Sequence, residues 1–474
     1  MKKLVRTVAV LAAVCAVFFA AFLLLLREPR EVVGTGAVFT DAKPVDIESV
    51  SVTNASGEYR YYFEGDGYVL DDIPPEICDL DAFIEFMTNC GQLRADQKVA
   101  REDARPADYG LDDPAATAVI DLFDGASLTL RVGNQETVSQ DYYVSADGFD
   151  GIYVMSKELA SQFLVSKKLV ISHYATPQLA VSSPLSAVRD VTFSGGPLEN
   201  PIMIRTTAGG DEEVRLEALS FGAATHIVKG AGIYQLDQTY GGEILGSLFG
   251  IEATDIIGYN LADEQIASLG FDNPTMTVEY DMINSSNAAD LVHCVLKLVQ
   301  IGDDSYYSML EGTGVVYQIG RPAFANLQYD KLFLRWFLTP LIMDLSDVTV
   351  EGAQGSYRFD IDNSDLKNPV VTCNGQDVDI DLFRSFFRLL TSAAHDGNYL
   401  GELAPSGSPV LQIRYDYRDE GKQTDVMQLF AGDTRRVNVF VNGAGEFAMK
   451  DSYVERVEQA CVDLLAGNAI EENW

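Results

Sequence analysis

The stretch YGLDDPAATAVI at residues 109–120 combines a tight turn with an alternating apolar segment. The same order returns as LGFDNPTMTVEY at residues 269–280. A shorter copy, PSGSPVLQIRY, occupies residues 405–415. Three copies of one turn, each placed before a predicted strand, indicate that the chain is built from three related units.

The residue types of this turn motif follow from backbone chemistry. Proline fixes its own φ and holds the preceding residue extended. Asp and Asn bond to nearby backbone groups, and glycine accepts a positive φ or a close backbone approach. The apolar residue after the glycine is predicted to be a buried peg beside the strand. The residues predicted to build the motif are Gly110, Leu111, Asp113, Pro114, Gly270, Phe271, Asn273 and Pro274.

The acidic and amide groups of the motif have a second interpretation. Asp112 and Asp113, with Asp272 and Asn273, could bind a cation. Turn chemistry nevertheless explains every one of these positions, so the motif is interpreted as structural.

An uninterrupted apolar run from Val8 to Leu26 precedes the first unit. As a helix it would cross most of a hydrocarbon core of about 30 Å, and Lys2, Lys3 and Arg6 before it favour a cytoplasmic N-terminus. We therefore expect a cytoplasmic segment at 1–7, a transmembrane helix at 8–26 and a linker at 27–44. A cleaved signal peptide is the alternative, although the run is longer than a usual signal core and no small-x-small site follows it.

The charge balance restricts the class of partner. The chain carries 34 Lys and Arg against 70 Asp and Glu, a formal net charge of −36. A nucleic-acid-binding protein needs a basic surface, so no nucleic-acid partner is expected. Five cysteines outside the apolar run are scattered without CxxC spacing, which favours neither a disulfide framework nor a zinc site.

The predicted units span residues 45–172, 185–340 and 345–470. Each is expected to open with a hairpin and a helix and to close with two hairpins and a second helix. Asp79 or Asp81, and Asp379, are predicted helix N-caps; closing helices are predicted at 156–169, 322–337 and 452–465. The predicted fold class is α+β, with an N-terminal transmembrane helix before three related units of antiparallel hairpins with packed helices.

The two full turn motifs, the glycines Gly133 and Gly302 and the tyrosine pairs at 142–143 and 306–307 resemble the bacterial family called domain of unknown function 4340. The resemblance covers the first two units and is weaker over the third. It implies a single-span envelope protein, often encoded beside the ATPase, permease and auxiliary subunit of an ABC-type transporter. It implies no catalytic residues.

The sequence lacks the common motifs that carry catalytic or metal chemistry. The sequence contains no GxSxG, P-loop, HExxH or GxGxxG pattern, and its four histidines are far apart. The segment DIDNSD at 360–365 resembles a calcium loop but has Asp365 where the loop needs glycine. No catalytic, cofactor-binding or metal-binding residue is therefore predicted, and no cofactor.

Two classes of function remain open from the sequence. The first is a non-catalytic, membrane-anchored extracytoplasmic protein that partners an ABC-type transporter permease, an auxiliary subunit or another envelope complex. The second is a surface module that binds glycan or peptide, for which the tyrosine-rich hairpins could supply stacking surfaces. In strands such tyrosines more often form cross-strand packing pairs.

Overall fold

The computed structural model describes residues 34–65, 67–99, 104–179, 181–222, 224–284, 287–365, 369–397 and 399–474. The cytoplasmic segment and transmembrane helix predicted for residues 1–26 lie outside these ranges. Among the described residues, no helix is both long and apolar enough to span a membrane. The chain divides into two compact units at His173/Tyr174.

The first compact unit contains one antiparallel sheet of nine strands, in the order β1-β5-β9-β8-β7-β6-β2-β3-β4. Its strands are β1 Gly34–Val38, β2 Ile47–Asn54, β3 Gly57–Glu64, β4 Gly67–Leu70, β5 Arg94–Lys98, β6 Ala116–Leu122, β7 Ser127–Gln135, β8 Tyr142–Ala146 and β9 Tyr153–Met155. Its helices are α1 Leu80–Gly91 and α2 Lys157–Ser161. Strand β1 lies within the predicted linker 27–44 and pairs with β5 at the edge of the sheet, so part of that segment belongs to the folded unit.

The second compact unit contains two antiparallel sheets. The first has the order β13-β12-β11-β10-β15-β16-β17-β18-β14. Its strands are β10 Val188–Gly195, β11 Ile202–Thr206, β12 His226–Lys229, β13 Ile233–Gln235, β14 Ala253–Gly258, β15 Met276–Asn284, β16 Asn287–Gly302, β17 Ser305–Leu310 and β18 Val316–Gly320. The helices around it are α3 Pro184–Ala187, α4 Glu212–Ala218, α5 Gln238–Gly246 and α6 Asp263–Ser268.

The other sheet of this unit has eight strands in the order β22-β21-β20-β19-β23-β24-β25-β26. These are β19 Leu345–Gly352, β20 Gly355–Asp362, β21 Val370–Cys373, β22 Gln376–Val378, β23 Leu411–Tyr417, β24 Asp425–Ala431, β25 Arg436–Val441 and β26 Ala444–Lys450. Its helices are α7 Ile380–Thr391 and α8 Ser452–Ala466. The fold class is therefore α+β with antiparallel sheets, as predicted.

All three sheets share one connection. In each sheet, the strand that opens the predicted unit pairs antiparallel with the strand that follows the turn motif or its shorter copy. The pairs are β2 with β6, β10 with β15, and β19 with β23. Consecutive hairpins then extend the sheet on both sides of this central pair, as period-2 alternation predicts for strands that have one buried face.

Helices pack on the sheets through aromatic side chains. In the first unit, Tyr61 of β3 contacts Phe83 and Phe86 of α1. In the third sheet, Phe359 of β20 makes the same kind of contact with α7. Both helices begin at a predicted cap. The carboxylate of Asp79 accepts from the Ala82 N–H, and that of Asp379 accepts from the Asp381 and Leu382 N–H groups.

The closing helices predicted at 156–169 and 322–337 are wrong. In the first unit the segment forms only α2 and a 3₁₀ turn at Lys167–Val170. The amide of Asn54 donates to the carbonyls of Phe163 and Val165, at 2.8 and 2.7 Å. These carbonyls are engaged by the first hairpin instead of by a helix.

The second predicted closing helix fails for a similar reason. Residues 322–337 contain two 3₁₀ turns, Ala323–Asn326 and Tyr329–Lys331, and an extended part. The N–H of Leu334 donates to the Gln235 carbonyl beside the edge strand β13. The prediction for 452–465 is correct, because that segment forms α8.

Candidate functional site

The turn motif ends a short helix and starts a strand. In the first unit a 3₁₀ helix, Pro106–Tyr109, is capped by Gly110 at φ +74°, and the Leu111 N–H donates back to the Pro106 carbonyl at 2.9 Å. In the second unit α6 precedes Gly270, which has φ +97°. The positive φ values explain both glycines, while the short helices before them were not predicted from the sequence.

Both predicted pegs are buried. Leu111 is 5% exposed and packs with Val99, Tyr109 and Ile152, with Tyr143 at the edge of the cluster. The cluster therefore joins the turn to the tyrosine hairpin formed by β8 and β9.

Phe271 occupies the matching position in the second compact unit and is 4% exposed. It packs with Met309 and Val316, with Tyr307 beside them. The polar positions of both motifs are exposed, and Pro114 and Pro274 are half-buried. The shorter copy at 405–409 is wholly exposed and contains no peg.

Replacing Gly110 with alanine is expected to lower the free energy of unfolding by about 1–3 kcal/mol, since it places a β-carbon at a left-handed position. That β-carbon would also lie 2.5 Å from Oδ1 of Asn134. Urea unfolding of the detergent-solubilised chain measures the loss. Gly125→Ala is the matched control, because Gly125 has φ +87° but no atom within 4 Å of the added carbon. Equal losses in the two variants would contradict a role for the close approach.

The first compact unit has a group of exposed large hydrophobic side chains. We define the apolar surface as Val45, Phe63, Leu80, Ile84 and Phe123, all of which are exposed large hydrophobic residues. The rings of Phe63 and Phe123 are 5.5 Å apart. The Phe123 N–H donates to the Asp46 carbonyl, which places it next to Val45.

The helix α1 supplies the other two residues of the apolar surface. Leu80 is 64% exposed and Ile84 is 56% exposed, one turn apart on the same side of the helix. The helix packs on the Pro44–Asp46 turn, which brings it alongside Val45. Grouped hydrophobic side chains of this kind mark interaction sites more often than single ones do.

The second compact unit contains a cleft between the edges of its two sheets. The cleft has a volume of about 240 Å³. We call it the tyrosine–glutamate cleft after Tyr329, Tyr399 and Glu446, which line it. Glu446 lies on β26 and is 1% exposed. Its Oε2 accepts hydrogen bonds from the hydroxyls of Tyr234 at 2.7 Å and Tyr329 at 3.0 Å.

Burial governs the protonation of these groups. It raises the pKa of Glu446 above its ordinary value, while the two tyrosine hydrogen bonds act in the opposite direction. Burial and the neighbouring Glu446 charge raise the pKa values of Tyr234 and Tyr329, so both stay protonated donors at neutral pH. The hydrogen bonds among Glu446, Tyr234 and Tyr329 orient their polar atoms, so these side chains form a fixed wall of the cleft.

A glycine permits the tyrosine to approach. A β-carbon at Gly230 would lie 2.4 Å from the hydroxyl oxygen of Tyr329. Sequence reasoning did not identify this cleft, because its residues come from five separate segments with no characteristic spacing. In the described part of the chain, no group of three or more His, Cys, Asp or Glu side chains is placed to hold a metal ion.

Comparison with known proteins concerns the first unit. No curated protein matches the chain, and no solved structure matches it. Residues 79–172 match the family model described as Domain of unknown function (DUF4340). The matched segment begins at the Asp79 cap of α1 and includes the first turn motif and the tyrosine hairpin. Residues 79–172 of the first compact unit are therefore similar to this family, which confirms, for that segment, the resemblance predicted from its turn motif.

Proposed function

We propose that this protein is a non-catalytic, membrane-anchored extracytoplasmic subunit that binds a membrane-protein partner, such as the permease or an auxiliary subunit of an ABC-type transporter. The apolar run at 8–26 is the proposed single-pass anchor, with the N-terminus in the cytoplasm. The observation that carries the proposal is the apolar surface of the first compact unit. Hydrophobic groups left in water at one place are stabilised when a partner covers them.

A comparison within the chain supports this use of the surface. Helices α1 and α7 have equal length and the same aspartate cap, and Ile84 in α1 corresponds to Arg384 in α7. Arg384 is paired with Asp381 at 2.9 Å, as is usual for an exposed helix position. An exposed isoleucine at the same position in α1 is not needed for the helix, so its apolar character favours coverage by a partner.

The reach of the chain favours a partner at the membrane. Residues 27–33 alone separate the apolar run from β1, and an extended segment of that length reaches at most about 25 Å. A surface on the first unit therefore stays within reach of proteins embedded in the same bilayer. A permease or auxiliary membrane protein fits this position better than a freely diffusing partner.

Replacing Ile84 with arginine tests the proposal. The variant imports the residue that α7 already uses, so folding should be kept, while a charge in the apolar surface should reduce partner recovery about tenfold or more. The measurement is co-purification of membrane proteins from mild detergent, quantified by mass spectrometry. Val138→Arg is the control, since Val138 is 88% exposed on the same unit and lies outside the apolar surface. Equal recovery of a permease or auxiliary protein by wild type and Ile84→Arg would contradict the proposal.

The topology has its own measurement. The chain after the apolar run should be digested by protease added to intact spheroplasts. Before digestion, the protein should remain in the membrane fraction. If this part of the chain is protected in spheroplasts and cleaved only after lysis, it lies in the cytoplasm.

The tyrosine–glutamate cleft favours a second candidate function, a surface module that binds glycan or peptide. Its oriented polar groups and aromatic rings are typical of small binding sites.

A further inference from the structure

The tyrosine–glutamate cleft offers aromatic surface and one buried charge in the same space. Tyr399 is 43% exposed, and its ring centroid lies 5.5 Å from that of Tyr329 in an edge-to-face arrangement. The ring of Phe447 also packs against Tyr399, with the centroids 5.6 Å apart. Two tyrosine rings in mutual contact thus line the cleft together with the Glu446 carboxylate.

The segment that carries Tyr399 is fixed to the edge of the third sheet. The Leu400 N–H donates to the Glu446 carbonyl at 2.9 Å, and the Leu403 N–H donates to the Gly445 carbonyl at 2.8 Å. The wall of the cleft is therefore preformed, so a ligand does not have to order it on binding.

The charge of the cleft has one sign. Glu199, Asp330 and Glu402 line it together with Glu446, and among the described residues that line it none is Lys, Arg or His. Burial raises the pKa of Tyr399, and the negative charges of these four groups raise it further. A concave site with walls of low dielectric strengthens such a field.

We propose that the cleft binds an organic cation, an ammonium or guanidinium group, over the tyrosine rings and in front of Glu446. Cations are attracted to the faces of aromatic rings within about 6 Å, and carboxylates add direct charge pairing. This inference goes beyond the partner proposal and stands without it, because it concerns the other compact unit.

The volume of the cleft and the oxygen atoms available in it restrict the class of ligand. Pockets for drug-sized molecules occupy about 300–1,000 Å³, so a cleft of this volume fits one side chain or one small amine. Calcium needs about six to eight oxygen ligands, whereas Oε2 of Glu446 is already occupied by two tyrosine hydroxyls. A cation carried on a short apolar stem uses both the rings and the charge.

Calorimetric titration of the full chain in detergent with n-butylguanidinium chloride tests the proposal, with n-butylurea as the neutral analogue of similar shape. We expect the cation to bind at least tenfold more tightly than the urea. Binding should weaken about fivefold in Tyr399→Ala and about two- to fivefold in Glu402→Gln. Both side chains are exposed, so neither variant should unfold, which circular dichroism would confirm.

Two control variants in the same compact unit separate the cleft from a general effect of charge or aromatic content. Tyr357→Ala removes a tyrosine outside the cleft, and Glu420→Gln makes the same charge change as Glu402→Gln at another exposed position. Both variants should bind the cation as the wild type does.

A capped Gly-Gly-Arg-Gly-Gly peptide distinguishes the source of the cation. Tighter binding of the peptide than of butylguanidinium assigns the site to a polypeptide side chain, and equal binding assigns it to a small amine. Equal binding of butylurea, or unchanged binding in Tyr399→Ala, would overturn the proposal.

Discussion

Replacing Phe271 with alanine is expected to lower the free energy of unfolding of the second compact unit by about 3–5 kcal/mol. The phenylalanine fills a cluster with Met309 and Val316, and half-buried side chains from α6 and β17 complete it. Removing the ring leaves a cavity between the turn motif and the tyrosine hairpin. The surrounding strands are held by their inter-strand hydrogen bonds and cannot collapse into that cavity. The variant therefore loses the transfer free energy of the buried ring and also bears the cost of the cavity.

Urea unfolding of the detergent-solubilised chain, followed by circular dichroism, measures this effect. Asp272→Ala is the matched control, because Asp272 is the exposed neighbour in the same turn and should change stability by about 0.5 kcal/mol or less. Leu111→Ala should cost about 2–5 kcal/mol in the first unit for the same reason. Similar stabilities of Phe271→Ala and Asp272→Ala would refute the peg interpretation.

The second large effect is expected at Asp425, whose carboxylate is fully buried at the start of β24. It accepts hydrogen bonds from the hydroxyl of Tyr417 at 2.5 Å and the amide of Asn442 at 2.8 Å, and it pairs with Lys422 at 3.2 Å. The Lys422 side chain is only 8% exposed. Replacing Asp425 with alanine leaves this ammonium group buried without a counter-charge, and should cost about 3–5 kcal/mol.

A double variant separates the charge from the cavity. Lys422→Met combined with Asp425→Asn removes both charges and keeps the shape, so it should be more stable than Asp425→Ala by at least about 1 kcal/mol. Urea unfolding of the wild type, Lys422→Met, Asp425→Asn and the double variant measures the coupling. Strictly additive losses at Lys422 and Asp425 would contradict the pairing.

Features set by local chemistry were predictable from the sequence. The Asp79 and Asp379 caps are correct because a carboxylate before an amphipathic segment satisfies free N–H groups at the helix start. The burial of Leu111 and Phe271 was predictable because the turn has one apolar side chain, which lies beside the following strand. Alternation identified the hairpins, since one face of each sheet is covered.

Features set by distant contacts were not predictable. The segment after Ser156 has helical propensity, yet the side chain of Asn54, more than 100 positions earlier, takes the carbonyls that a helix would use. Strand β1 was predicted to be part of a linker, because the strand with which it pairs, β5, is short and polar and is not recognisable as a strand from the sequence. The residues of the tyrosine–glutamate cleft meet only after two sheets have formed, and no spacing in the sequence records that meeting.

The central pair of each sheet has a consequence for how the nascent chain folds. Val50 pairs with Ile120, Val191 with Tyr280 and Val348 with Tyr415, so the three strands wait for partners 70, 89 and 67 residues later in the chain. At a synthesis rate of about 5–20 residues per second, that wait lasts about 3–18 s. The intervening helices form locally within about a microsecond. Contact order therefore makes the closing of the central pair, and not helix formation, the slow event in each sheet.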